Sequence, residues 1–270
     1  MLRCIPKCRL PEVLTLAPCK YSLVLNRKFS HSHDFVEAHQ QNFIDMSAFQ
    51  KSVLTIGSGI LCLLDPTRAD LISTFGEVSA GHALNHMYEA MNNNEEGKAI
   101  LNEKPRINSK VIDLDKLQTY PSNTVGKCYY DFLVTNQVTP DSRLPVQFIK
   151  DTELAYVMQR YREIHDLVHA VLQQPTNMLG EVTIKWVEGI QTKLPMCVTG
   201  GLFGAMRLRP KQRKRYREEN LPWAIKTGTN SKLLMNVYFE KRWDQSLDDF
   251  YREMNIVPLV SKYGQKATKA

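Results

Sequence analysis

Three side chains that could bind a metal ion stand close together in the sequence, as His165-Asp166-x-x-His169. In an α-helix, with about 100° of rotation per residue, the two imidazoles lie on one side and Asp166 lies beside them. Imidazoles four residues apart are common in helical metal sites. Because the motif is short, a structural histidine pair with a solvated Asp166 is the competing interpretation.

A fourth candidate ligand follows the two histidines. Glu181 comes after the turn-forming segment Pro175-Thr176-Asn177-Met178-Leu179-Gly180. Such a segment folds the chain back, so Glu181 at the start of the next helix could reach both imidazoles. Two imidazoles and two carboxylates suit Zn²⁺, whereas two histidines, one carboxylate and open positions also suit Fe²⁺. The spacing therefore predicts a metal site and leaves the metal open.

The helix that carries the two histidines has clear limits. Asp151 and Thr152 can cap its beginning, and Pro175 ends it because the residue before a proline avoids the α region. Apolar residues recur along it at helical spacing and form one face: Leu154, Val157, Tyr161, Ile164, Leu167, Val168, Val171 and Leu172. This face is predicted to pack against a core or a lipid.

The rest of the chain predicts an all-α fold, since no segment alternates as a strand does. Helices are expected over residues 46–64, from a cap at Asp65 to Phe75, and over 79–99, 181–191 and 233–254, with irregular surface over 102–127. Gly57-Ser58-Gly59 and the glycines 200, 201 and 204 lack the setting of a phosphate loop, so we expect close approach of helices or a lipid chain there.

The first 29 residues resemble a mitochondrial transit peptide. Residues 1–33 contain six basic residues and one acid, so most of the formal charge of +7 lies in this segment. Arg27-Lys28-Phe29-Ser30 resembles a processing site, which predicts cleavage after Phe29 and a helical domain over residues 30–270. With that segment removed the chain is nearly neutral, which argues against nucleic-acid binding. No run of about 18 apolar residues is present, so a spanning helix is not expected.

The run HDLVHAVLQQPTNMLGE, residues 165–181, closely resembles the H-D-x-x-H-x11-E signature of the mitochondrial ubiquinone (coenzyme Q) biosynthesis family that is fourth in the Coq series. The resemblance extends through most of residues 45–256. It includes DPTRADL at 65–71, PSNTVGKCYYDFL at 121–133, KWVEGIQTKLPMC at 185–197, LPWAI at 221–225 and VYFEKRWDQSLDDFYREMNI at 237–256.

The resemblance implies a largely helical protein that binds zinc through His165, Asp166, His169 and Glu181. It implies a peripheral position on the matrix side of the mitochondrial inner membrane, together with the other proteins of the ubiquinone-synthesis complex. The implied reaction is C1 decarboxylation of 4-hydroxy-3-methoxy-5-polyprenylbenzoate to 2-methoxy-6-polyprenylphenol. For that reaction we expect Glu181 or Asp166 to move a proton, Glu181 being favoured because it comes from a separate segment.

Two other functions are compatible with these residues. The first is a non-catalytic scaffold that binds polyprenylated benzoate or quinone lipids and has a purely structural metal; formation of a homo-oligomer is left open. The second is an HD-type metal phosphohydrolase, which the adjacent His165 and Asp166 suggest, although a phosphate-binding loop is missing from the sequence.

The densest basic run after residue 33 consists of Arg207, Arg209, Lys211, Arg213, Lys214, Arg215 and Arg217. A solvated helix face and a contact with anionic inner-membrane lipid both explain it, and each cation at such a membrane could contribute about 1 kcal/mol. The aromatic residues Trp186, Trp223, Trp243, Tyr238, Phe239, Phe250 and Tyr251 are expected in the core, and some of them could line a prenyl channel.

Overall fold

The computed structural model describes residues 34–65 and 68–262. The predicted transit peptide, residues 1–29, lies outside them, so its cleavage stays a prediction. Within the described ranges the chain forms helices and turns without a β-strand, and Thr124 and Ser246 make one isolated antiparallel bridge. The all-α prediction is therefore confirmed.

The α-helices are α1 (34–42), α2 (Ala48–Leu64), α3 (Ala69–Ser79), α4 (Gly81–Asn92), α5 (Glu95–Glu103), α6 (Leu114–Thr119), α7 (Val125–Asn136), α8 (Thr152–Val171), α9 (Met178–Thr192), α10 (Pro195–Met206), α11 (Pro210–Arg215), α12 (Leu221–Asn230) and α13 (Leu247–Met254). Short 3₁₀ turns cover Pro140–Ser142, Leu234–Asn236 and Phe239–Lys241, and a π-turn covers Tyr216–Asn220. Among these described helices, none combines the length and the apolar character needed to cross a membrane.

Helix α8 is the centre of the fold. Asp151 caps its first turn by accepting a hydrogen bond from the Leu154 amide, as the sequence predicted. Helices α4, α5, α7 and α9 pack around it, and every residue from Ala155 to Val171 is buried. The sequence predicted one buried apolar face, but the charged residues on the other sides are buried as well. Their charges must therefore be paired within the protein.

A second layer of helices extends from α9. Helix α10 packs on α9, α3 packs on α10, and α2 packs on α3. The expected close approach at the glycines is found at three of them. A Cβ at Gly201 would lie 3.1 Å from the Trp186 ring. A Cβ at Gly59 would lie 3.2 Å from the Phe75 ring, and a Cβ at Gly204 would lie 2.7 Å from the Val182 side chain. Helix α2 therefore packs closely on α3, and α10 packs closely on α9.

Three predictions about the elements are wrong. Asp65 ends α2, where its amide hydrogen-bonds to the Leu61 carbonyl, and the next helix begins only at Ala69, with Arg68 in the N-cap position. Residues 102–127 contain α6 and the start of α7, whose amides are capped by the side chains of Asp113 and Thr124. Residues 233–254 form two 3₁₀ turns before α13, since Ser246 begins a helix only at Leu247.

Candidate metal site

The turn between α8 and α9 brings Glu181 against the two histidines. Asn177 caps α9 by accepting hydrogen bonds from the amides of Leu179 and Gly180. A Cβ at Gly180 would lie only 1.8 Å from the Pro175 carbonyl oxygen, so a residue with a side chain would open this turn. The tight turn therefore places Glu181, in the first turn of α9, opposite the last turns of α8.

His165, His169 and Glu181 form one group of potential metal ligands, with ligand atoms within 4.8 Å of one another. The Glu181 carboxylate lies 3.4 Å from His169 Nε2 and 3.8 Å from His165 Nε2. Both histidines are buried, and the Glu181 side chain is 35% exposed. The group thus lies inside the protein and opens to the surface at the carboxylate.

The Nδ1 nitrogen of each imidazole, which is not the one nearest Glu181, is held by a hydrogen bond. His165 Nδ1 lies 2.6 Å from the Glu188 carboxylate, and His169 Nδ1 lies 3.1 Å from the Gln174 carbonyl oxygen. Both partners are acceptors, so each Nδ1 carries the proton and each Nε2 presents a lone pair to the site. Metal-binding histidines are usually held by such partners, which fix the tautomer and the ring orientation.

The residues fit a divalent metal ion. His169 Nε2 is buried and has no hydrogen-bond partner among the described residues, despite its proximity to Glu181. Metal–ligand bonds of about 2.0–2.2 Å would allow one ion to reach both atoms of each pair, which lie 3.4 and 3.8 Å apart. Two imidazoles and one carboxylate suit Zn²⁺ and Fe²⁺ alike, so the donor set leaves the metal undecided.

The fourth predicted ligand, Asp166, lies outside this group. Its carboxylate accepts a charge-assisted hydrogen bond from the Arg143 guanidinium, and the aspartate is buried. Burial lowers the pKa of Arg143, but the charges of Asp166 and then Glu181 outweigh this effect and raise it. The structure therefore places Asp166 in an ion pair beside the site and leaves three residues facing each other.

Glu188 is the centre of a buried polar network behind His165. Its second oxygen accepts hydrogen bonds from Tyr161 Oη and Lys185 Nζ, each at 2.8 Å. Burial by itself raises the pKa of Glu188, but His165 and Lys185 outweigh burial and hold it well below its usual range. Burial likewise lowers the pKa of His165, and the Glu188 carboxylate more than compensates and raises it. Metal-free His165 and Glu188 are thus a charge-stabilised pair.

Four residues around the site were not predicted from the sequence: Arg143, Gln174, Lys185 and Glu188. A signal was present for two of them, because residues 181, 185 and 188 lie on one face of α9 at helical spacing. Charged residues on one face of a helix with buried apolar neighbours indicate a polar site. Gln174 acts through its backbone, and Arg143 comes from a loop, so neither residue type indicated its role.

An apolar cavity of about 720 Å³ adjoins the candidate site at Glu181. Helices α2, α3, α9 and α10 form its walls. Besides Glu181, its polar lining includes Lys185 and Arg207. Most of the remaining lining is aliphatic or aromatic: Ile56, Ile60, Leu63, Ile72, Phe75, Met178, Val182, Met196 and Phe203. The three tryptophans are not part of this lining.

The seven basic residues from 207 to 217 lie on α11 and its flanks, and Arg207 is the one that lines this cavity. All are exposed except Arg215, which is half-buried and lies 3.6 Å from Glu219. Arg207 donates hydrogen bonds to the carbonyl oxygens of Leu63 and Leu64 at the end of α2. The run is therefore a surface feature that also ties α10 to α2.

The fold and the site define a class of helical protein with a His/His/Glu site beside a large apolar cavity. Residues 40–259 match the family model "Coenzyme Q (ubiquinone) biosynthesis protein Coq4". Two insect proteins named "Ubiquinone biosynthesis protein COQ4 homolog, mitochondrial" are among the relatives. The Bombyx mori protein is 59% identical over 84% of this chain and 87% of its own length. The Drosophila erecta protein is 45% identical over 96% of this chain and 98% of its own length.

The chain belongs to the Coq4 family of ubiquinone biosynthesis proteins. A crystal structure from Nostoc punctiforme, of a protein described as a candidate ubiquinone biosynthesis protein, has the same fold. The two structures superpose with a TM-score of 0.61 at 18% sequence identity, and the match covers 77% of this chain and 98% of the Nostoc chain. The family resemblance expected from the sequence motifs is thus confirmed.

Proposed function

We propose that the protein is a metal-dependent carboxy-lyase of ubiquinone biosynthesis. Its reaction would convert 4-hydroxy-3-methoxy-5-polyprenylbenzoate to 2-methoxy-6-polyprenylphenol by decarboxylation at C1. The observation that carries this proposal is the unpartnered, buried His169 Nε2, which faces Glu181 where an apolar cavity begins. A purely structural histidine pair would have both of its ring nitrogens satisfied.

His165, His169 and Glu181 would hold the ion, and Asp166 could join them only by giving up Arg143. A bound Zn²⁺ or Fe²⁺ would supply Lewis-acid stabilisation of negative charge on a substrate oxygen. Glu188 and Gln174 would keep the two imidazoles in the required tautomer and orientation. The protein therefore contributes ligands that are fixed in place before substrate arrives.

The cavity suits a lipid with a polar ring and a long apolar tail. Its volume of about 720 Å³ is within the usual range for ligand pockets, about 300–1,000 Å³. A polyprenyl chain would occupy the apolar part between α2 and α10, with the benzoate ring at Glu181 and Lys185. These walls would exclude water from the ring, which strengthens the electrostatic interactions of the charged groups around it.

Two residues of α9 would manage charge and protons in the reaction. Loss of CO₂ leaves an electron pair on C1, and a proton must be added there to complete the aromatic product. Lys185 would attract the substrate carboxylate, since its side chain lines the cavity and the Glu188 charge keeps its ammonium protonated despite burial, with a raised pKa. Glu181 would relay a proton from solvent to C1, because its side chain is the exposed member of the site and α9 positions it independently of α8.

The second candidate is a non-catalytic scaffold that presents prenylated lipids to the other enzymes of the ubiquinone-synthesis complex. The apolar lining of the cavity favours this function as well, because binding a prenyl tail requires no reactive group. In that case the metal would be structural and would hold the α8–α9 turn closed. The two functions differ in whether Glu181 is needed for turnover or only for metal binding.

The cellular location follows from the same reasoning. The relatives are named mitochondrial, and residues 1–29 have transit-peptide character. We place the protein peripherally on the matrix side of the inner membrane, with the basic run from Arg207 to Arg217 against anionic lipid.

The test compares Glu181→Gln with Glu89→Gln, an exposed glutamate on α4 that serves as the matched control. Purified proteins are loaded with zinc or ferrous iron and given the carboxyl-labelled substrate. We expect Glu181→Gln to abolish release of labelled CO₂ while circular dichroism stays unchanged. Equal CO₂ release by the two variants would contradict a role of Glu181 in the reaction, and no release by either variant would leave the scaffold as the function. Metal analysis of both variants separates loss of the ion from loss of proton transfer.

A further inference from the structure

Helix α2 has an apolar stripe that is exposed on the surface. The members of this α2 stripe recur at intervals of three or four residues and lie within about 100° of one another on the helix. They are Phe49, Val53, Ile56, Ile60, Leu63 and Leu64, and each is between 42% and 78% exposed. Isolated exposed apolar residues are ordinary, whereas a continuous stripe over four turns marks an interaction surface.

Helix α10 has a second stripe of the same kind. Val198, Leu202, Phe203 and Met206 form this α10 stripe, and their exposed fractions range from 36% to 72%. Neither helix contains an acidic residue, and the charged residue among the two is Lys51, on the side of α2 opposite its stripe. The two surfaces are thus apolar and free of negative charge.

The two stripes meet at the mouth of the cavity. Arg207, at the end of α10, binds the last carbonyl groups of α2, so the C-terminal ends of both helices are adjacent. Ile56, Ile60 and Leu63 belong to the α2 stripe and also line the cavity, as does Phe203 of the α10 stripe. The cavity therefore opens through the exposed apolar surface.

We propose that the α2 and α10 stripes insert into the surface of an anionic bilayer, so that the cavity opens directly into the acyl-chain region. A lipid could then enter the site without passing through water. The identity of that lipid rests on the proposed function, whereas the docking surface rests on the stripes and the charges beside them. An interfacial helix has this character, with apolar residues on one side and cations nearby.

Charge complementarity favours a bilayer over a protein partner. The exposed cations Arg209, Lys211 and Arg213 follow α10 directly in the sequence, and Arg213 donates a hydrogen bond to the carbonyl of Met206, the last residue of the α10 stripe. Anionic headgroups would contact these cations while the stripes lie below them among the acyl chains. A second copy of this chain would instead place two sets of cations near each other, which is unfavourable at low salt.

The test uses a triple variant of stripe residues that do not line the cavity: Phe49→Ser, Val53→Ser and Leu64→Ser. The matched control replaces exposed apolar residues elsewhere: Val134→Ser, Leu144→Ser and Val260→Ser. Flotation with phosphatidylcholine vesicles, with or without cardiolipin, measures binding at low and high salt. We expect the stripe variant to lose about ten-fold or more of its partitioning in both salts, from lost apolar burial. The control should match the parent.

Turnover separates this inference from the proposed function. The stripe variant should lose decarboxylation of substrate embedded in vesicles and keep it with substrate in detergent micelles. If the parent shows no decarboxylation in either form, the proposed function fails while vesicle binding still tests the docking surface. Vesicle binding of the stripe variant equal to that of the control overturns the docking proposal. A second result would also overturn it: the parent sediments as a dimer, the stripe variant sediments as a monomer, and both bind vesicles equally.

Discussion

Helix α8 buries charged residues in two different ways, one in its first half, meaning the turns up to Glu163, and the other in its second half, the turns from Ile164 to Val171. In the first half, Glu163 accepts hydrogen bonds on both of its oxygens, from Arg106 and Gln159 on one and the Ile107 amide on the other. In the same region, Arg162 pairs with Glu77 of α3, whose other oxygen accepts two backbone amides. Each of these buried charges has its complement within the fold. Arg160 Nε has no hydrogen-bond partner among the described residues, but it is a donor without a lone pair for a metal ion.

The second half of α8, one turn further, lacks that completeness. His165 and His169 each have one nitrogen held from behind, and His169 Nε2 has no hydrogen bond within the described part of the chain. Glu181 faces both imidazoles with a carboxylate that is 35% exposed. Because both halves are buried, this difference in hydrogen-bond pairing indicates a different role for each half. Complete pairing stabilises the fold, and incomplete pairing leaves coordination capacity for a ligand.

The largest effect is expected in the first half, on stability. Glu77→Ala would leave Arg162 charged and buried without its partner, and two backbone amides of the 147–148 segment would lose their acceptor. We expect the free energy of unfolding to fall by about 3–5 kcal/mol. Chemical denaturation measures it, with Glu89→Ala on the exposed side of α4 as control. A loss no larger than the control's would show that the first half is not a structural network.

The next effect is expected in the second half, on metal affinity. Glu188→Gln would weaken the hydrogen bond that holds His165 Nδ1. It would also remove the negative charge that makes the His165 imidazole a stronger metal ligand. Loss of such a supporting group typically lowers metal affinity about 10–100-fold. Competition with a chelator measures the change for zinc. An unchanged affinity would mean that Glu188 serves only the fold, as Glu77 does.

Asp166→Asn sharpens the assignment of the ligands, with a smaller expected effect on affinity. Since its carboxylate pairs with Arg143 and lies outside the three-residue group, we expect metal affinity to fall less than in Glu188→Gln. The same chelator competition measures both variants. A loss matching that of His169→Ala would instead establish Asp166 as a fourth ligand and show that Arg143 releases it.

Much of the site could be predicted from the sequence because it is local. The two histidines share one helix, and the turn to Glu181 is short and rich in turn-forming residues, so spacing alone brought the three together. The partner of Asp166 was not predictable in this way. Arg143 precedes α8 in a loop, and only the packed fold determines which carboxylate it reaches.

The fold was predictable to the same degree and for the same reason. Helices α2, α8 and α9 have caps and apolar periodicity within their own segments, and they were predicted close to their observed limits. Helices α6 and α7 lie among proline, asparagine and glycine residues, so their local signals were weak beside the turn signals. The exposed stripes of α2 and α10 were also missed, because periodicity indicates an apolar face without showing what covers it.

The smallest effect is expected in the pH dependence of stability of the metal-free protein. The pKa of Glu188 is lowered in the folded state, so its contribution is present above the unfolded value of about 4.3 and is lost as pH falls through the folded value. The pKa of His165 is raised, so its contribution is complete below the unfolded value of about 6.5 and is lost as pH rises through the folded value.

In Glu188→Gln both contributions should shrink, which flattens the curve of stability against pH on its acid and neutral sides. Urea unfolding across this range in the presence of a chelator measures the two curves. Saturating zinc should remove the neutral-side loss in the parent, because the ligated imidazole must be neutral. Parallel curves for parent and variant would mean that the His165–Glu188 pair does not form without metal, and the second half of α8 would then depend on its ion for order.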